Sequence, residues 1–324
     1  MNRSKILGAT ALASLMTAGV AQAEMSVSGY ILGAFADSDG GGVAQSNTSE
    51  TVTVSYTDTL DNGMGISVGM DLDGGLGSAI TIDTGMGSVQ LSASAKGDSA
   101  LDKVDGSTVC FSMYFCGAAY NASYNDGDEV SGNSILYTSP AISGFTIRAS
   151  MGLEGDYDND AHTGAGGTAA SPTDGATVEP VLSTNSVGVT GSIMGVTVKA
   201  GFADINYDNA DFVGASSSVD QTPSMYALGY SIAGLDVGYA FYDSDDTASS
   251  EETQYGVGTS MMGMYLGAQF ATHDTTGNDT DYMTLSAIKS MGPASFSYEY
   301  VETDVAGGTA SDTDVHMIGY SIGF

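Results

Sequence analysis

The chain has 324 residues, and its 39 Asp and Glu outnumber seven Lys and Arg to give a formal net charge of −32. This balance excludes nucleic acid as a partner, because binding the phosphate backbone needs Lys and Arg. The 45 glycines, the scarcity of proline at five residues and the use of Tyr and Phe as the main large side chains fit a single all-β domain of many strands.

The first residues have the features of an export signal. Two basic residues precede an apolar run over 6–20, and a small-residue cleavage site follows at 21–23. The run has 15 residues, fewer than the ~20 that a membrane-spanning helix needs, which disfavours a retained anchor. We therefore predict a cleaved signal peptide at 1–23 and one domain at 24–324. No later segment is long and apolar enough to cross a bilayer as a helix, so any membrane role has to come from strands.

Segments of roughly ten residues with alternating hydrophobicity recur through this domain and indicate strands. The clearest covers 66–73, where Ile66, Val68 and Met70 alternate with small or polar residues. A soluble sandwich and a membrane barrel share this period, so the period alone leaves both open. The sixteen predicted strands are 25–36, 51–60, 65–73, 79–84, 88–95, 133–139, 145–154, 184–191, 196–205, 223–232, 235–243, 253–260, 264–273, 282–289, 294–303 and 313–324.

The connections between these strands are alternately short and long. Asp61-Asn62-Gly63 is a strong hairpin signal, and other short turns are predicted at 85–87, 193–195, 233–234, 262–263 and 291–293. Long polar stretches lie at 37–50, 96–131, 155–183, 206–222, 243–252, 274–281 and 304–312. Turns at one end and loops at the other are typical of outer-membrane barrels. We therefore predict a closed antiparallel transmembrane β-barrel of sixteen strands, a size that leaves an aqueous channel.

The last predicted strand has an apolar, aromatic-ended face formed by Tyr320, Ile322 and Phe324. A soluble sheet would cover or charge such an edge, whereas in a barrel this strand pairs with the first one and faces lipid. The pattern resembles the signal that the barrel-assembly machinery of Gram-negative bacteria recognises. We therefore expect an outer-membrane protein in contact with the lipid bilayer and lipopolysaccharide.

The segment that leaves the third long loop has a recognisable order of residues: Asn133, Tyr137, Ser139, Pro140, Ser143, Gly144 and Phe145. This order resembles the Gram-negative general porins, particularly their alphaproteobacterial branch. The resemblance implies a homotrimer whose third loop folds into the lumen and through which small hydrophilic solutes and ions diffuse passively. The alternative is a structural or adhesive barrel whose acidic loops bind calcium or a partner. Whether 96–131 lies inside or outside the lumen distinguishes the two.

In that family, acidic residues of the third loop face basic residues of the wall and narrow the channel. The corresponding residues here are Lys96, Asp98, Asp102, Lys103, Asp105, Asp126, Asp128 and Glu129 on the loop, and Arg148 and Lys199 on the wall. A cation that faces lipid at mid-membrane costs about 2–4 kcal/mol, so both wall residues are expected to face the lumen. The family usually has a cluster of arginines there, whereas Arg148 is the one arginine of this domain. Without the two basic residues of the signal peptide the formal charge changes from −32 to −34, and we predict a cation-preferring channel.

Cys110 and Cys116 are the only cysteines, and both lie in the third loop. Exported proteins meet oxidising compartments, so we predict a disulfide between them. Two free thiols or a metal pair are the alternatives, and the lack of a nearby His disfavours zinc.

The sequence offers no recognisable catalytic pattern. His162, His273 and His316 are scattered, and the glycine-rich runs at 39–42 and 73–75 lack the strand-then-helix setting of a nucleotide-binding loop. We therefore expect neither an enzyme nor a cofactor. The ion that the acidic loops could bind is calcium.

Overall fold

The computed structural model describes residues 24–38, 42–72, 78–92, 99–102, 110–111, 134–152, 181–207, 222–244, 250–275, 278–306 and 313–324. Within these ranges sixteen strands close into one antiparallel barrel, in which each strand pairs with its neighbours in sequence and the last pairs with the first. The strands are β1 Glu24–Ser38, β2 Gly42–Thr59, β3 Gly65–Asp71, β4 Ser78–Thr84, β5 Gly87–Ser92, β6 Ser134–Thr138, β7 Phe145–Gly152, β8 Val181–Ile193, β9 Val196–Tyr207, β10 Ser224–Ile232, β11 Leu235–Ser244, β12 Ser250–Met261, β13 Met264–Thr275, β14 Asn278–Met291, β15 Ala294–Ala306 and β16 Thr313–Gly323.

One short helix, α1 (Ser99–Asp102), lies in the third loop between β5 and β6. In the described part of the chain, no helix has the length and apolar character needed to cross a membrane.

The predicted closed barrel of sixteen strands is confirmed, but the predicted loop at 37–50 is wrong. β1 and β2 stay paired as far as Ser38 and Gly42, so 37–38 and 42–50 belong to strands. The strands β12 to β15 likewise extend into stretches that the sequence assigned to loops. The reason is that ladder hydrogen bonds join backbone groups, so a strand continues where its side chains have become polar.

The barrel has an apolar outer face and a lumen lined by small or polar residues. Tyr226 and Leu228 on β10 are exposed on the outside, whereas the alternate residue Ala227 is buried inside. On β7 and β8 the hydroxyls of Ser150 and Ser186 meet inside at 2.6 Å. This alternation is that of a transmembrane barrel with lipid outside and a polar lumen.

The barrel closes through the predicted pairing of the last strand with the first. Gly29 and Phe324 exchange two backbone hydrogen bonds of 3.0 Å each. On the same outer face Phe35 lies opposite Ile318, and both side chains are exposed. The two ends of the sheet are therefore joined by a regular antiparallel ladder.

Four of the short connections are two-residue turns in which both central residues have positive φ. They are Ser143-Gly144, Met194-Gly195, Ala233-Gly234 and Met262-Gly263. This geometry is that of type I′ hairpin turns, whose twist matches the flanking strands. Each turn has a glycine second, but the first position holds a residue for which the left-handed region is unfavourable.

Candidate functional site: the lumen and its third loop

The helix α1 docks on the inner wall of β7 and β8 through its backbone. The Ala100 amide donates to Ser150 Oγ at 3.0 Å and to Ser186 Oγ at 3.2 Å, and the Leu101 amide donates to Ser186 Oγ at 3.3 Å. These amides belong to the first turn of a helix, where no intrahelical partner exists. The wall serines therefore supply the acceptors that this end of α1 needs.

The Leu101 side chain fixes the same helix to the next strands of the wall. It is buried in a cluster with Ala203, Met225, Ala227, Ala240 and Tyr242 from β9, β10 and β11. Burial of a leucine side chain stabilises by about 1.5–3 kcal/mol. Because these wall residues face inward, α1 lies inside the lumen.

A second described segment of the loop, at Cys110 and Phe111, reaches the wall formed by β12, β13 and β14. Ser286 Oγ donates to the Phe111 carbonyl, and the Phe111 ring lies 6.2 Å from the Tyr265 ring, centroid to centroid. Gly258 and Gly267 leave the space for this approach. A Cβ at Gly267 would lie 2.6 Å from the Phe111 Cβ, and one at Gly258 would lie 2.9 Å from the Phe111 ring. We call this contact surface, Gly258, Gly267 and Ser286, the glycine notch.

Both described segments of the third loop thus lie within the barrel. This position is the one that the porin interpretation requires and that an external adhesive loop would not have.

The predicted wall cations Arg148 and Lys199 both face the lumen. Arg148 Nη1 donates to Thr190 Oγ1 on β8 at 2.9 Å, and Lys199 is largely buried on the inner face of β9. Asp102 belongs to α1 by its backbone, and its side chain lies outside the described residues. Seven other predicted constriction residues also lie outside the described ranges, namely Lys96, Asp98, Lys103, Asp105, Asp126, Asp128 and Glu129.

Cys110 is disulfide-bonded. Cys116, the other cysteine of the sequence, lies outside the described ranges.

Next to Cys110 and Phe111, a cavity of about 450 Å³ opens between the loop and the wall. Lys199 from β9 and Asp236 from β11 line it together with Tyr265 from β13. Asp236 is held by two hydroxyls, because Ser231 Oγ donates to Oδ1 at 2.5 Å and Tyr265 OH donates to Oδ2 at 3.0 Å. The cavity is therefore lined by a carboxylate held by two hydrogen bonds and by a lysine.

Two further carboxylates, Glu252 on β12 and Glu299 on β15, face inward and are completely buried. Gln254 Nε2 donates to Glu252 Oε1, and Gln269 Nε2 donates to Gln254 Oε1 at 3.4 Å.

Asp236, Glu252 and Glu299 were not among the predicted site residues. Asp236 and Glu299 fall on the polar faces of predicted strands, so alternation could have identified them. Glu252 was assigned to a loop because the predicted strand began one residue later. Within the described ranges no group of three or more His, Cys, Asp or Glu side chains could hold a metal ion.

Several solved structures have a similar fold. The chain aligns with a porin structure refined at 1.8 Å resolution at a TM-score of 0.64 and 17% identity, covering 93% of this chain and all of that one. For a loop-deletion mutant of OmpT of Vibrio cholerae the TM-score is 0.68 at 14% identity, over 94% of this chain and all of that one. For an anion-selective porin from Comamonas acidovorans the TM-score is 0.62 at 13% identity, over 94% of this chain and all of that one.

No curated protein matches the chain in sequence. The model of a protein family described as Gram-negative porin, however, matches residues 8–322. Because that match covers nearly the whole barrel, the chain belongs to the Gram-negative porin family and forms a diffusion channel in the outer membrane.

Proposed function

We propose that this channel passes small hydrophilic solutes and ions and prefers cations to anions. The observation that carries the proposal is the charge on the lumen wall. In the described part of the chain, alternation along the strands directs carboxylates of several strands inward, against two wall cations, Arg148 and Lys199. These inward carboxylates are Glu24, Asp83, Asp236, Glu252 and Glu299.

An exposed carboxylate of the inner face, such as Asp83, has a larger effect on passing ions than the completely buried Glu252 and Glu299. A charge acts over about a Debye length, ~8 Å at physiological salt. Selectivity has to come from such side chains, because the same fold is shared with the anion-selective porin from Comamonas acidovorans.

The test is the reversal potential of the reconstituted channel across a potassium chloride gradient. We expect cation preference at low salt that declines as salt rises, because screening weakens the field of the wall charges. Asp83→Asn, on the inner face of β4, should reduce the preference, whereas Asp61→Asn, at an exposed turn outside the lumen wall, should leave it unchanged. Anion preference at low salt would refute the electrostatic argument.

We also propose that the barrel works as a homotrimer. The support is the resemblance to general porins and the likeness to a trimer form of OmpT of Vibrio cholerae, at a TM-score of 0.65 and 12% identity. Small residues of β1 and β2 such as Ser28 and Thr53 pair on the lumen side and do not form the surface that meets a neighbouring subunit. The outer face of β1 instead presents Val27, Ile31 and Phe35.

Crosslinking in native outer membranes tests the assembly. Cysteine pairs introduced on the outer face of β1 should give trimers, and pairs on β11 serve as the comparison. If only monomers are captured from both, the trimer proposal fails.

We propose that the barrel is not an enzyme. In the described part of the chain, His273 faces the lumen and His316 faces outward, where its Nδ1 lies 2.8 Å from Tyr298 OH.

Cleavage of a signal peptide at 1–23, contact with lipopolysaccharide and the barrel-assembly machinery, and calcium binding at the acidic loops stay predictions. Amino-terminal sequencing of the membrane protein tests the first of these.

A further inference from the structure

The cavity beside the third loop combines two opposite charges in one small space. Its inward-facing polar side chains are Thr197, Lys199, Ser231, Asp236 and Tyr265, and Phe111 of the loop closes one side. Its volume of about 450 Å³ is within the ~300–1,000 Å³ typical of pockets for small ligands. An amino-acid-sized solute can therefore enter it.

Asp236 is fixed as a charged acceptor. Each carboxylate oxygen accepts one hydroxyl, from Ser231 and from Tyr265, and an ionised carboxylate has lone pairs left for further donors. Because both hydrogen bonds are made within the protein, the orientation of the Asp236 carboxylate is set before a solute arrives. The carboxylate is therefore suited to receive an ammonium group.

Lys199 supplies the opposite charge from the neighbouring wall. It lines the cavity, is 8% exposed and has an interaction of its own within the protein. A net anion that approaches Lys199 meets repulsion from Asp236, and a net cation that approaches Asp236 meets repulsion from Lys199. A solute with both charges avoids either penalty.

We propose that this cavity is a binding subsite for small zwitterionic solutes, with the ammonium group of a free α-amino acid at Asp236 and its carboxylate on the Lys199 side. The inference rests on the open channel described above and names a class of solute that it favours. Charge-assisted hydrogen bonds of this type are stronger than neutral ones, so a zwitterion remains in the lumen longer than a neutral solute of equal size.

The test measures how added solutes block the potassium current of single channels in planar bilayers. The probes have similar size and differ in charge: alanine is a zwitterion, lactate an anion, ethanolamine a cation and lactamide neutral. In the unmodified protein we expect saturable block by alanine at millimolar concentration, and weaker block by the other three.

Two variants separate a charge effect from a structural one. Asp236→Asn should weaken alanine block about tenfold or more, as expected for loss of a hydrogen bond to a charged group, and should make lactate the stronger blocker. Lys199→Met should weaken alanine block similarly and make ethanolamine the stronger blocker. Loss of packing alone would not make lactate the stronger blocker of one variant and ethanolamine the stronger blocker of the other. The control Asp61→Asn should behave as the unmodified protein.

The outcomes are distinguishable. An open channel that responds equally to all four probes overturns the subsite and leaves the porin function intact. The subsite is also overturned, and the porin function left intact, if alanine blocks both variants as strongly as it blocks the unmodified protein. A protein that conducts no current overturns the open channel itself.

Discussion

Individual residues in the turns of this barrel adopt a backbone that their side chains disfavour. Met194 and Met262 have φ of 52° and 55° in two-residue turns, where Asn or Gly is the usual first residue. The left-handed conformation costs an L-residue with a Cβ about 1–2 kcal/mol. The turn geometry is imposed by the two strands, which are held by their ladders on both sides.

Replacing Met194 with Asn should therefore stabilise the barrel. We expect the free energy of unfolding to rise by about 0.5–1 kcal/mol, because Asn tolerates the left-handed region. The measurement is urea-induced unfolding in lipid vesicles.

Met86 provides the matched control. It is 78% exposed, close to the 94% of Met194, but it is not among the residues with positive φ. Met86→Asn should give no stabilisation, and equal effects of the two variants would show that backbone strain is not the cause.

At the scale of elements, the third loop is attached to the wall at two places on different strands. Wall serines of β7 and β8 accept the amides of α1, and the glycine notch of β12 and β13 receives Phe111. The loop therefore bridges the lumen, and its position depends on residues far from it in sequence.

Filling the glycine notch should disturb this attachment. A Cβ at Gly267 would lie 2.6 Å from the Phe111 Cβ and 2.7 Å from Ser286 Oγ. Gly267→Ala should cost about 1–3 kcal/mol, as other overpacked sites do, and the displaced loop should alter the single-channel conductance.

The control for that variant is Gly69→Ala, which adds the same methyl group on the inner face of β3. A Cβ there has nothing within 4 Å. Urea unfolding and conductance should stay unchanged in this variant. If Gly267→Ala gave the same values as Gly69→Ala, the notch would not be holding the loop.

For the whole molecule, hydrophobic alternation together with the alternation of short turns and long loops was enough to predict the barrel and its strand number. The signal was strong because lipid contact imposes a period of two on each strand. The ends of some strands, as at Gly42 and Glu252, lie beyond the apolar segment that faces lipid. Their sequences lack the alternation, although their backbones remain paired.

The candidate site was less predictable, because it depends on contacts between distant segments. Arg148 and Lys199 were found from alternation and the cost of a cation in lipid. The cavity that joins Lys199 to Asp236 forms where the loop residues Cys110 and Phe111 approach four strands, β9, β10, β11 and β13. Nothing in the local sequence near Asp236 indicates the hydroxyl of Tyr265, which lies 29 positions away.

The most direct test of an open channel narrowed by its own third loop is the single-channel conductance of the purified protein in planar bilayers. The structure predicts discrete current steps at both polarities, with a conductance that grows with potassium chloride concentration. A correctly folded barrel that inserts into the bilayer and gives no steps would contradict the account.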